Sequence, residues 1–252
     1  MLRRDELATW ASTFRVADEQ VRRDHLISHL LAAMAALEGA GLVFFGGTAL
    51  ARTHLPAFRL SEDVDLLADP REEWHARLEG HLPRALRRHF GPVSWDPAPS
   101  VVAYREAARL VAGDLSVRLQ FVRLDAEQAR WPVERRPVEM RYADAPSAQL
   151  VVPTRPAFAA MKALAWADRH APRDLADLAA LAALGAIDAS AAALVVDMAG
   201  WTPGVATFDR VPPSTRAEWS AALRHQMAVV PDPDDCLREV RDAWVAVGKP
   251  AA

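Results

Sequence analysis

Apolar residues recur at helical spacing from 18 to 38. Val21, Leu26, Leu30, Met34 and Leu37 share one side, and Gly39 and Gly41 end the pattern. The run Leu42-Val43-Phe44-Phe45 sits between glycines and predicts a buried strand. Gly46-Gly47 reads as a turn, and Thr48 to Leu55 as a short helix stopped by Pro56. Val64, Leu66 and Leu67 mark a second strand, with Asp63 and Asp65 alternating against them. Residues 71–90 predict a helix with a basic side formed by Arg84, Arg87, Arg88 and His89. Residues 101–104, 109–111 and 115–124 predict further strands. In the last of these, Val117, Leu119 and Phe121 point one way and Ser116, Arg118 and Gln120 the other. Residues 131–156 are rich in proline and arginine and predict irregular chain with a strand at 150–152. Over 157–252, abundant alanine and few β-branched runs predict helices. The pattern divides the chain into an α/β part, 1–153, and a helical part, 154–252.

With 252 residues, 51% apolar and 25% charged, the composition excludes extensive disorder. The formal charge of −3 gives no global pull toward nucleic acid. Any such contact must rest on local clusters, Arg84/Arg87/Arg88 and Arg135/Arg136/Arg141, which otherwise read as solvated faces. Cys236 is the lone cysteine, so no internal disulfide forms. The charged N-terminal segment does not suit a signal peptide, and the weakly polar stretch 178–196 is rich in alanine, too weak for a membrane span. A soluble, cytoplasmic protein is expected. The basic residues are 28 Arg and two Lys, Lys162 and Lys249, so a lysine kept mid-chain hints that a compact ammonium is needed there. His25 and His29 share a helix face without a Glu-x-x-His pattern or a cysteine nearby, and read as a structural pair. No Gly-x-Ser-x-Gly, Walker A or Gly-x-Gly-x-x-Gly motif occurs, which leaves hydrolase, P-loop and Rossmann readings without support.

The chemistry concentrates in Phe44-Phe45-Gly46-Gly47-Thr48-Ala49-Leu50 and Arg59-Leu60-Ser61-Glu62-Asp63-Val64-Asp65-Leu66. A strand that runs through two glycines into a helix start presents free amides to a phosphate, and glycine lets the ligand come close. The Thr48 hydroxyl is placed to add a donor. Carboxylates at i and i+2 of a strand point the same way, and hard cations such as Mg²⁺ take carboxylate and phosphate oxygens together. A phosphate cradle beside paired carboxylates suits nucleotidyl transfer.

The Gly-Gly-Thr-Ala-Leu and Arg-x-Ser-x-Asp-x-Asp-Leu patterns resemble the DNA polymerase β-type nucleotidyltransferases, and more closely the AbiEii/AbiGii-type toxins, including the MenT type. A second block, Phe158-Ala-Ala-Met-Lys162-Ala-Leu164 with Arg173-Asp174-Leu175-Ala-Asp177-Leu178, is similar to that family's lysine helix and Arg-Asp-x-x-Asp helix. The resemblance implies an α+β fold: a mixed sheet with flanking helices as the nucleotidyltransferase core, plus a helical C-terminal region. It implies that Gly46, Gly47, Thr48 and Ser61 hold the triphosphate and that Asp63 and Asp65 ligate Mg²⁺, with Mn²⁺ as the alternative. Lys162 would reach the phosphates across the cleft, with Asp174 or Asp177 and Arg173 nearby. The implied reaction moves a nucleoside monophosphate from an NTP to an RNA acceptor, the tRNA 3′ end in the MenT branch, and the implied partner is an antitoxin. Polymerase β-like enzymes usually carry a third carboxylate on a later strand; here Gln120 stands there, with Asp114 as a fallback. Two other readings share the motif: a small-molecule nucleotidyltransferase, and a non-catalytic binding protein.

Overall fold

The computed structural model describes residues 2–37, 39–56, 58–103, 106–125 and 127–248. Residue 104, the end of an expected strand, and Lys249 lie outside them. The chain divides into two units, Met1–Pro153 and Thr154–Ala252.

The first unit opens with α1 (Arg4–Phe14) and α2 (Asp18–Ala35). There follow β1 (Leu42–Phe45), α3 (Gly46–Thr53), β2 (Asp63–Ala68), α4 (Arg71–Phe90), β3 (Val93–Trp95), β4 (Ala107–Ala112) and β5 (Leu115–Arg123). The unit ends with β6 (Val133–Val138) and β7 (Ala148–Pro153). A five-stranded sheet has the order β1-β2-β5-β4-β3; β2 and β5 are parallel and the other pairs antiparallel, so the sheet is mixed. β6 and β7 form an antiparallel pair. Alternation divides the large sheet. Val64, Leu66, Leu119 and Phe121 are fully buried, whereas Asp63, Asp65 and Gln120 on the other face are half-buried and Arg118 is exposed. This leaves polar chemistry on one face and the core on the other.

The structure corrects four expectations. Residues 101–103 form a turn, not a strand, and the strand in this region is β3 instead. The proline- and arginine-rich stretch holds a strand, β6, whose alternating Val133, Arg135 and Pro137 are exposed; such an edge tolerates Pro137 because no neighbour needs its missing N–H. Gly46 and Gly47 are the first residues of α3 rather than a separate turn. Arg141 belongs to no solvated cluster, since its side chain is only 1% exposed.

Arg141 lies in a buried ionic knot that anchors α3. Asp24 Oδ1 accepts from Arg52, on the last turn of α3, at 2.8 Å and from Arg141 at 3.0 Å. Asp24 Oδ2 accepts from the Tyr142 hydroxyl at 2.9 Å. Arg52 also donates to the Glu139 carbonyl, and Arg141 to the carbonyls of Ala51 and Pro56. Burial lowers the Arg52 pKa to about 10, and Asp24 works against that shift.

The second unit contains α5 (Arg155–Arg169), α6 (Pro172–Ala183), α7 (Ala189–Ala199), α8 (Pro213–Leu223) and α9 (Pro233–Val247). The Thr154 hydroxyl caps α5 by accepting from the Ala157 amide, and proline occupies the first turn of α5, α6, α8 and α9, where its missing N–H costs nothing. α6 packs on α5, α8 and α9. Among the described residues, no helix is long and apolar enough to cross a membrane.

Candidate active site

The site in the first unit begins at the junction of β1 and α3. Phe45 ends the strand in extended conformation and caps the helix, and the amides of the first turn have no intrahelical partner. Gly46 has φ +76, a left-handed value that suits glycine. A Cβ there would collide with the Asp65 carboxyl group, falling 2.8 Å from its Cγ. The carboxylate therefore rests against the backbone of the helix start, so the cradle and the acidic strand are one site. At Gly47 a Cβ would lie 2.8 Å from the Arg59 guanidinium and 3.2 Å from Ser61 Oγ. Arg59 is 2% exposed and also donates to the Leu60 carbonyl. Ser61 and Arg59 thus flank the second glycine. Arg59 stands in the Arg-x-Ser-x-Asp-x-Asp pattern, but sequence reasoning gave it no role.

Thr48 is placed differently. It is buried, and its hydroxyl donates to the Asp63 carbonyl, tying α3 to β2. Its side chain is a clamp between the cradle and the acidic strand, not an open donor.

Asp63 and Asp65 occupy alternate positions of β2 on the polar face. In register, Asp65 faces Phe45 of β1 on one side and Gln120 of β5 on the other, while Asp63 pairs with Arg118. The donor set fits a hard divalent cation: two half-buried carboxylates, an amide oxygen from Gln120 beside them, and helix-start amides without intrahelical partners for the phosphates that such an ion would share. Asp114 plays no part in this set. It is exposed, four residues before Arg118, and Arg22 holds it by two bonds of 2.6 and 2.7 Å.

In the second unit, Lys162 of α5 is 8% exposed. Its ammonium donates to Asp174 Oδ1 at 2.9 Å and lies 2.8 Å from Asp177 Oδ2. Both aspartates are 1% exposed and lie three residues apart on one face of α6. Arg169 adds two bonds to Asp174, at 2.8 and 3.1 Å. Arg173 is exposed, so the guanidinium beside Asp174 is that of Arg169, which sequence reasoning passed over. Burial pushes the Asp174 pKa up, but Lys162 and Arg169 more than offset it and hold the carboxyl below its ordinary value.

Two outcomes follow from this triad. Lys162→Met leaves Asp177 without its ammonium, while Arg169 still serves Asp174. Chemical unfolding is expected to show a loss of about 3–5 kcal/mol, the scale of breaking a buried ion pair by deleting one partner. The second concerns acid. Because the folded pKa of Asp174 is depressed, its contribution to stability is complete above the unfolded value, about 3.9, and is lost as pH falls through the lower folded value. Melting curves from neutral to strongly acidic pH should fall less steeply at the acid end in Asp174→Asn.

Residues 29–246 match the family model described as nucleotidyl transferase AbiEii toxin, type IV TA system. No curated protein matches the sequence. Among solved structures, the nucleotidyltransferase toxin MenT4 of Mycobacterium tuberculosis H37Rv is similar over 100% of this chain and 91% of its own, with a TM-score of 0.65 and 20% identity. JHP933 of Helicobacter pylori is similar over 92% of this chain and 93% of its own, with a TM-score of 0.56 and 16% identity. At these identities the likeness establishes the fold: a nucleotidyltransferase core of mixed sheet and flanking helices followed by helices. The family match covers both the cradle and the lysine helix, and with it the chain belongs to the nucleotidyl transferase AbiEii toxin family of type IV toxin–antitoxin systems, nucleotidyltransferases that imply a nucleotide substrate and an antitoxin partner.

Proposed function

We propose that this toxin transfers a nucleoside monophosphate from an NTP to an RNA hydroxyl, with the tRNA 3′ end as acceptor, and that it acts in the cytoplasm until an antitoxin neutralises it. The observation that carries this reading is the contact of the Asp65 carboxylate with the backbone of Gly46, which makes the phosphate cradle and the acidic pair a single site. The acceptor rests on the family likeness. The exposed Arg84, Arg87 and Arg88 of α4 offer phosphate contacts to an RNA.

In the reaction the acceptor oxygen attacks the α-phosphorus, the bond to the bridging oxygen breaks, and pyrophosphate leaves. Asp63 and Asp65 would hold Mg²⁺, or Mn²⁺ in its place. When bound, that ion lowers the pKa of the attacking hydroxyl and offsets charge on the leaving pyrophosphate. The amides of Gly46 and Gly47 hold the phosphates at the helix start, where the dipole favours anions. Ser61 and Arg59 supply side-chain donors beside Gly47. In the second unit, Asp174 and Asp177 fix the ammonium of Lys162, the point charge that the family likeness assigns to the phosphates.

Incubation with total RNA and each labelled NTP in turn tests this. Label should enter small RNA for the wild type, with growth arrest on expression. Asp65→Ala should remove both, since it deletes one ligand of the ion on which transfer depends. Incorporation that survives in Asp65→Ala overturns the assignment.

A further inference from the structure

A cluster of potential metal ligands lies on elements that carry neither Asp63 nor Asp65. His25 and His29, one turn apart on α2, turn their Nε2 atoms toward each other at 3.2 Å. Asp144, in the segment between β6 and β7, completes the group. Its Oδ2 is 3.2 Å from His25 Nε2 and 3.4 Å from His29 Nε2. Three ligand atoms therefore form a nearly equilateral triangle. Metal–ligand bonds of about 2.0–2.1 Å in a tetrahedron give edges of roughly 3.3–3.4 Å, and the triangle matches one face of it.

Without an ion, His25 Nε2 bonds to Asp144 Oδ1 at 2.9 Å, and both rings are more than nine-tenths buried. A cation at the centre engages all three lone pairs at once. An entry path exists as well, because His29 lines a cavity of about 500 Å³ together with His81, His89 and Arg135.

We infer that His25, His29 and Asp144 form a binding site for a divalent transition-metal ion of the zinc class, with water from the cavity in the fourth position. Two imidazoles and one carboxylate in tetrahedral array suit zinc over the harder cations, which prefer oxygen. The ion would fasten α2 to the segment that carries Arg141 and Tyr142.

The test uses the full chain after chelator treatment. Co²⁺, which absorbs visible light strongly only when tetrahedral, should bind with one equivalent per chain, and Zn²⁺ should displace it and raise the melting temperature. Asp63→Ala should keep this signature. His29→Gln and Asp144→Asn should each weaken Co²⁺ binding by at least about tenfold, because even the indirect partners of metal ligands alter affinity 10–100-fold. A wild-type chain with no tetrahedral Co²⁺ spectrum and no zinc-dependent rise in melting temperature overturns the site. So does a spectrum that persists in either folded variant.

Discussion

Nucleotide transfer falls by roughly 10²–10³-fold when Gly46 becomes alanine, the scale on which one preorganised charge-stabilising group is lost. The new methyl meets the Asp65 carboxyl group, so either the carboxylate swings out of the site or the backbone of the helix start gives way. Both displace a metal ligand from the phosphate cradle. A left-handed φ adds a cost of about 1–2 kcal/mol for any residue with a Cβ. Gly80 is the control. It lies inside α4 with open space where a Cβ would stand, so Gly80→Ala should leave transfer unchanged and stabilise the helix by about 0.5–1 kcal/mol. Labelled-NTP incorporation by the two variants, read beside their melting curves, separates damage to the site from damage to the fold.

Asp24→Ala is expected to be the most destabilising single change in the first unit. It removes the one carboxylate that both the Arg52 and Arg141 guanidinia touch, and it leaves the Tyr142 hydroxyl without its acceptor at Oδ2. Arg141 keeps Glu139, 3.0 Å away, but Arg52 is fully buried and, among the described residues, has only carbonyls to turn to. Breaking a buried pair by deleting one partner costs about 3–5 kcal/mol. For a chain of this size that corresponds to a fall of roughly 6–20 °C in melting temperature. Because Arg52 closes the last turn of α3, the cradle at its first turn should loosen as well. Urea unfolding measures the loss, and a change below about 1 kcal/mol would show that the carbonyls alone hold the two guanidinia.

Much of the first unit is legible in the chain. The run Leu42–Phe45 and the strict alternation through Leu115–Arg123 mark β1 and β5, and the helix expected over 71–90 is α4. What escapes has physical reasons. β6 is a sequence of charges and a proline whose outward residues face solvent, so hydrophobic period says nothing about it. α1 is short and fully buries only Phe14, so its brief stripe of Leu7, Trp10 and Phe14 is a weak signal. The cradle residues and the acidic pair show through glycine and i, i+2 spacing, because those patterns are local. Arg169 beside Asp174 is near in sequence, yet nothing in its neighbourhood distinguishes it from Arg173. Asp144 lies 119 residues from His25, and no local pattern links the two.

A crystal structure with Mg²⁺ and a non-hydrolysable NTP is the most direct measurement. An ion held by Asp63 and Asp65 and phosphate oxygens on the amides of Gly46 and Gly47 are the expected result. A triphosphate bound away from Gly46, or no ordered ion at the two aspartates, contradicts it.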